Sequence, residues 1–481
     1  MLDPTWTVIL AISLGVYMTI LLAIGGWASK KGGDSAEEFL LAGRSLPIPM
    51  AVITLLATWF GAGVMLSVTD EVAKSGISVA TMDPIGVALC LFLAGWWLAR
   101  PLWNMGILTV CDFYRRRFDV VTEKLAAVIL VPSYFGWIAL QFMAIAKLLE
   151  MFFGLSVEWG VFLAMAAGTG YTMLGGLRAV VWTDFFQLGF VLIGIVWLAL
   201  LTFFEVGWEQ TQTAMRNSLA FQPDLKEVAL LLDLLVIGCL GNLPAQDLIQ
   251  RFLCVRSASA ASRACYWASV GYLLFGLFPI FMGLLSAYVL PESQTQVVMG
   301  IAGKLMSGPV LVIFVLAVIS AVLSTIDGAI LSPASVLAQN LIPIAWSKQV
   351  GHVTVNRLAV LLVALCSLVT AYSGASAMEL LEAAYSLMLV GLLVPLVGGL
   401  WLRRRPPIAA IAAMIVGTAV WLPHLFLEDS EWLAQPWLVP RGIYLPMNIT
   451  ATICSGLAFL FVGQNLPEAV ELNSETSDAT S

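Results

Sequence analysis

The run Ala51-Val52-Ile53-Thr54-Leu55-Leu56-Ala57-Thr58-Trp59-Phe60-Gly61-Ala62-Gly63 decides the fold. It opens as an unbroken apolar helix and closes on a Gly-Ala-Gly interruption, still inside the same apolar block. Glycine withdraws side-chain support and admits backbone angles that other residues avoid. Two readings of the run are open. One is close helix–helix packing through small residues. The other is a helix broken in mid-membrane, with freed carbonyls facing a polar cavity and holding an ion. Both presuppose a bilayer, and the rest of the chain supplies it.

Of 481 residues, 60% are apolar and 11% charged, with a mean hydropathy of +0.94. Soluble domains are about a quarter charged, so a water-soluble protein is excluded. The apolar residues gather into blocks at roughly 6–28, 49–70, 77–99, 122–146, 157–175, 180–205, 227–250, 264–289, 306–338, 356–373, 379–402, 407–427 and 443–463. Each can cross a hydrocarbon core ~30 Å thick. None of the polar stretches between them could hold a soluble catalytic domain of even ~50 residues. The expected fold is an all-α polytopic membrane protein of about thirteen transmembrane helices. Asp3 precedes the first block and no basic n-region does, so that block is expected as a retained helix rather than a signal peptide.

Charge placement sets the orientation. With the N-terminus outside and the C-terminus cytoplasmic, the inner loops hold 17 of the 23 Lys and Arg residues, Arg115, Arg116, Arg117 and Arg403–Arg405 among them. The reverse orientation would invert this bias. An odd number of spans starting outside suggests one extra helix before an even core. The chain then divides into a first helix and loop (1–48), a five-helix unit (49–205), a second five-helix unit (206–402), two C-terminal helices (403–463) and a disordered cytoplasmic tail (464–481). Two five-helix units of opposite orientation are what an inverted repeat requires.

The ninth block carries Ala321-Val322-Leu323-Ser324-Thr325-Ile326-Asp327-Gly328. Ser324 and Thr325 put two hydroxyls one turn after the Ala321 carbonyl. Such hydroxyls commonly bond back to their own helix. Set against two free carbonyls from the second block, they complete a neutral five-oxygen cage, suited to Na+ more than to Ca2+. Acids inside apolar blocks are costly and read first as functional. Asp184 lies near the inner start of the sixth block, where the alternative is a helix-end charge stabilised by the dipole or by Arg178. Asp83 lies inside the third block and Asp233 inside the seventh; Asp247 and Arg251, four apart, are expected to pair. The seven cysteines show no metal or redox spacing, and His352 and His424 alone leave zinc or haem short of ligands. An intramembrane enzyme would need a nucleophile–base pair or a metal site, so no catalytic residue is assigned.

Three motifs, in order, resemble the signatures of the sodium:solute symporter family: Phe39–Leu46, the Gly175–Asp184 stretch, and Ala321–Gly328. The resemblance covers the second through eleventh blocks. It implies a LeuT-like core of two inverted five-helix repeats and a Na+ site formed by the carbonyls of Ala57, Phe60 and Ala321 with the hydroxyls of Ser324 and Thr325. It also implies a coupling role for Asp184. The substrate residues it suggests are Trp59, Gly61, Gly63, Asp83 and Gln246. Within the family, Ala57–Gly63 and Gly241–Arg251 look most like the choline-transporter branch. Ala245 and Val87, however, stand where that branch carries a tryptophan and a tyrosine. Two missing ring faces remove roughly 1–4 kcal/mol of cation–π attraction, so the implied substrate is a small organic solute rather than choline itself. The function expected is uptake of that solute coupled to Na+ influx by alternating access, with no nucleic-acid or obligatory protein partner. The alternatives are a transport-like sensor and an H+-coupled transporter of the same fold.

Overall fold

A bilayer offers backbone amides no partner, so apolar blocks of this length satisfy themselves as helices. The computed structural model describes residues 3–31, 35–219, 224–291, 295–343, 347, 349–402, 406–423 and 446–465. Among these, nine helices are long and apolar enough to cross a membrane, or eleven when each of two sharply bent pairs counts as one span. The other two expected blocks are Pro407–Trp421, a helix of 15 residues, and the 157–175 part of the fifty-residue helix Val157–Val206. Thirteen spans are therefore not reached on length and apolarity. His424, Arg403–Arg405 and the expected tail from 466 onward lie outside the described residues.

Local chemistry sets the helix ends. Asp119 accepts from the Thr122 N–H at 2.7 Å to start Val120–Phe153. Reciprocal caps open Leu225–Val236 (Asp224 with Glu227) and Ala377–Met388 (Ser376 with Glu379). Val157–Val206 kinks at Gly176, whose φ of 58° lies in the left-handed region. A Cβ there would stand 2.8 Å from the Phe39 carbonyl oxygen, so neither the backbone nor the space admits a side chain.

The central helix is Gly308–Val336. Every residue from Ala317 to Val336 is buried, and the helix packs against Val120–Phe153 and Val157–Val206. Pro4–Lys31 lies at the periphery with Val8, Ile12 and Val16 exposed, as an added first helix facing lipid would be.

Two helices break in mid-course. The first runs Ile48–Trp59, leaves helical geometry at Phe60 (φ −83°, ψ 56°) and continues as Gly63–Ser75 after a 54° bend. The second runs Leu225–Gly241, turns through extended Ala245 (φ −65°, ψ 130°) and continues as Gln246–Leu253 after a 42° bend. One break falls in each of the expected five-helix units. On the side carrying Arg44, Lys124 and Arg256, loops and helix ends are stitched together. Arg44 Nη2 donates to Ile107 O at 2.7 Å, Gln250 Nε2 to Leu40 O at 2.7 Å and Arg256 Nε to Ser45 O at 2.8 Å. That side also holds a cavity of about 680 Å3 beside Glu37, Asp112 and Arg115, and the opposite side one of about 640 Å3 lined by Asp70, Glu71, Lys147 and Gln296 among others.

Candidate functional site

The first break sits directly against the central helix. At Gly61 a Cβ would fall 2.2 Å from Thr325 Oγ1, so only glycine lets the two backbones approach this closely. The approach brings the Thr325 hydroxyl 3.3 Å from Ala57 O and 3.2 Å from Ala321 O. A single hydroxyl thus stands between a carbonyl of the broken helix and a carbonyl of the central one. Phe60, the next proposed carbonyl, is the residue at which the helix ends. Ser324 donates to Asp184 Oδ1, and Thr54 Oγ1 donates to Asp184 Oδ2 at 2.5 Å. Ala57, Phe60, Ala321, Ser324, Thr325 and Asp184 are all buried. Arg178 pairs with Glu38, so of the helix-end alternative for Asp184 the Arg178 partner is ruled out. This is a water-poor, oxygen-rich pocket with one formal negative charge at its edge, a set of donors that a hard monovalent cation accepts.

A second polar group surrounds Trp59. Its indole Nε1 donates to Asp247 Oδ2, and Tyr134 OH donates to Asp247 Oδ1. On the other side of Trp59, Tyr272 OH lies 3.2 Å from the Trp59 carbonyl and 3.0 Å from Asp83 Oδ1. Asp83 departs from helical geometry (φ −140°, ψ 120°), which turns it out of its own helix. Of the substrate residues expected, the structure therefore brings Trp59 and Asp83 together through Tyr272. Gly61 faces Thr325, and the nearest atom to a Cβ on Gly63 is Leu381 Cδ2, 3.8 Å away. Gln246 does not join them. Its Oε1 accepts from Val110 N at 2.8 Å and its Nε2 lies 3.4 Å from Ser335 Oγ.

The expected Asp247–Arg251 pair does not form. Both residues lie in the one helix Gln246–Leu253, but the Asp247 carboxylate is taken by Trp59 Nε1 and Tyr134 OH. Arg251 is instead fully buried, with Nη1 3.4 Å from Gln250 Oε1 and Nη2 2.6 Å from where a Cβ on Gly328 would lie. Sequence reading missed Tyr134, Gln141, Asp247 and Tyr272 as parts of this site. The available signal was spacing: Tyr134 and Gln141 are seven apart and share a helix face. Gln141 Oε1 accepts from Ala62 N at 3.0 Å, inside the first break. Asp233, like Asp327 and Glu123 a further buried acid, accepts from Asn448 Nδ2 at 2.6 Å and so holds the start of the C-terminal helix Met447–Asn465.

Comparison with known proteins bears on the family and the fold. The model of the sodium:solute symporter family matches residues 39–417. The chain is 26% identical over 386 residues to the high-affinity choline transporter 1 of Drosophila melanogaster, a match spanning 75% of this chain and 61% of that protein. It is 24% identical over 509 residues to the human high affinity choline transporter 1, spanning 96% of this chain and 87% of that one. The solved structure of a substrate-bound, outward-open Na+-coupled sialic acid symporter superposes with a TM-score of 0.78 at 16% identity, covering 95% of this chain and 98% of that one. That likeness carries the fold, a LeuT-like core.

Proposed function

The chain belongs to the sodium:solute symporter family, and from that premise we propose how its residues divide the work of a Na+-coupled secondary transporter that carries a small organic solute. Na+ is the co-transported ion. It sits between the first broken helix and the central helix, held by the carbonyls of Ala57, Phe60 and Ala321 and the hydroxyls of Ser324 and Thr325. Thr325 Oγ1, within 3.3 Å of two of those carbonyls, is the observation that carries this reading. When Na+ enters, the hydroxyl proton turns away and the oxygen becomes a ligand. The ion then ties the flexible break to the rigid central helix. Asp184, bonded to Ser324 and Thr54, transmits the charge state of this region to both helices and acts in coupling.

The solute occupies the region of Trp59, Gly61, Gly63 and Asp83, next to the same break. One backbone interruption thus serves both ligands, and ordering it with Na+ prepares the solute site. No residue is assigned a catalytic role. The side that carries most of the Lys and Arg residues faces the cytoplasm, with the N-terminus outside, in the plasma (inner) membrane.

The test is Ser324→Ala combined with Thr325→Ala, which strips two of five ligands while barely altering helix volume. Apparent Na+ affinity in proteoliposome uptake should fall at least tenfold, about 1.4 kcal/mol. An unchanged Na+ titration in protein of wild-type stability overturns the site.

A further inference from the structure

Asp247 is buried at 1% exposure in the middle of an apolar bundle, and no Lys or Arg pairs with it among the described residues. Its partners are both neutral donors, Trp59 Nε1 and Tyr134 OH, which support a carboxylate without neutralising it. Asp83 is buried at 2% and likewise has only a tyrosine hydroxyl, that of Tyr272. Fully buried Arg251, one turn after Asp247, acts on it electrostatically but serves Asp184 and Asp327 as well. Buried charge left unbalanced in a membrane span is expensive, and it persists where a pathway or ligand supplies the opposite sign. One arginine does not balance three acids and the Na+ site is built from other residues, so the further positive charge at Trp59 is assigned to the solute. A second, independent observation points to a ligand here. Gln141 is fully buried and its Nε2 has no hydrogen-bond partner among the described residues, while its Oε1 is fixed by Ala62 N. A buried donor held in place by its own amide oxygen is completed by an acceptor atom.

We propose that the solute is an organic ammonium ion bearing N–H groups, its nitrogen bonded to Asp247 beside Trp59, and that it carries an oxygen acceptor taken by Gln141. This rests on the reading of the Trp59 region as the solute site. The N–H requirement follows from the chemistry of the pocket. An N–H ammonium makes short, charge-assisted hydrogen bonds to a carboxylate. A quaternary ammonium cannot donate; it relies on ring faces, whereas the rings here, Trp59, Tyr134 and Tyr272, turn their donor edges to the two acids, and Ala245 and Val87, both buried, add no further ring. Asp83, on the far side of Trp59, adds negative potential that favours a cation and rejects carboxylate solutes.

The experiment uses the purified full chain and amino alcohols of two to five carbons. Each is paired with its N-trimethylated counterpart, ethanolamine with choline for example, and with its alkylamine lacking the hydroxyl. Thermal stabilisation is measured with and without Na+. At least one primary amine should stabilise the protein in Na+, with at least tenfold higher affinity than its trimethylated partner. Asp247→Asn should cost that amine at least tenfold while leaving the shift caused by Na+ alone unchanged. Gln141→Leu should erase the preference for the hydroxylated amine over the plain alkylamine. If Asp247→Asn does not fold, Asp247→Glu serves instead, and should alter the chain length preferred. Tighter binding of the trimethylated member, or Na+-dependent stabilisation by neutral or anionic solutes with none by the amines, overturns the amine assignment and leaves the transporter reading standing. Absence of any stabilisation by Na+ itself overturns the transporter reading on which it rests.

Discussion

Gly61 and Gly63 look equivalent in the sequence, and the structure separates them. A methyl at Gly61 would collide with Thr325 Oγ1 at 2.2 Å and Thr325 Cβ at 2.8 Å, whereas a methyl at Gly63 meets only Leu381 Cδ2 at 3.8 Å. Threonine is stiff at χ1 and cannot swing aside cheaply, so Gly61→Ala should cost about 1–3 kcal/mol by overpacking and displace the hydroxyl from Ala57 and Ala321. Gly63→Ala should be tolerated. In a melting series with Na+ titration, adding Thr325→Gly to Gly61→Ala removes the Thr325 atoms the methyl meets and should recover part of the stability but not Na+ affinity. Restored affinity in that double variant would place the ion elsewhere. Asp184 gives a separate test of charge. Asp184→Asn keeps size and most of its bonding to Thr54 and Ser324, so it should fold normally and transport more slowly. Wild-type rates across a Na+ titration would reduce Asp184 to a structural hydrogen-bond acceptor.

At the scale of elements, burial alone does not mark function, and Asp233 illustrates the point. It lies in the second broken helix, yet its oxygens accept from Asn448 Nδ2 at 2.6 Å and Ile449 N at 3.3 Å, at the start of Met447–Asn465. Negative charge at a helix N-terminus is stabilising. Asp233→Ala should therefore leave a buried amide unpaired and cost about 1–3 kcal/mol. Hydrogen exchange should rise in Met447–Asn465 while Na+ affinity is unchanged; a lost Na+ response would instead return Asp233 to the transport machinery. The same example marks what the sequence discloses. Helix identities were legible because apolar block length follows from bilayer thickness, and the first break was legible because Gly61-Ala62-Gly63 interrupts such a block. Ala57, Ala321, Ser324 and Thr325 could be proposed together from the two motifs. Partners chosen across the fold were not legible: Asp184 meets Thr54 and Ser324 at 130 and 140 residues' separation. Asp247 was read with Arg251 because one helix sets them four apart, as Gln246–Leu253 does, but its carboxylate is taken by Trp59 and Tyr134, 188 and 113 residues away in sequence.

Over the whole molecule, each end carries a cavity, about 640 Å3 on the side proposed as outer and about 680 Å3 on the side proposed as inner. Beside the second, whose lining includes Asp112, the helices converge on Asn340. Its amide nitrogen donates to Asp112 Oδ1 at 2.9 Å and Glu123 Oε1 at 2.8 Å, and its amide oxygen accepts from Thr109 Oγ1 at 2.7 Å. Lys124 Nζ donates to its backbone carbonyl. One side chain thus ties the end of the central helix to the 109–112 turn and to the start of Val120–Phe153, and none of these bonds can survive separation of those elements. On the orientation proposed from the positive charges, opening this end by alternating access would break them, so the bonds at Asn340 should favour the outward-facing form by their net worth, about 1–3 kcal/mol where charged acceptors are involved. Asn340→Ala should shift the population by roughly five- to a hundredfold toward the inward-open form. Labelling reads this directly. With the partly exposed Cys366 and Cys454 replaced, Ser67→Cys, which lines the outer cavity, should react with an impermeant maleimide added outside. Ser335→Cys, fully buried beside Gln246, should be protected from reagent on either side. Introducing Asn340→Ala should slow the first reaction and expose the second to reagent on the cytoplasmic side alone. Equal labelling in both backgrounds would show that Asn340 holds nothing closed, and exposure of Ser335→Cys from outside would reverse the orientation derived from the positive charges.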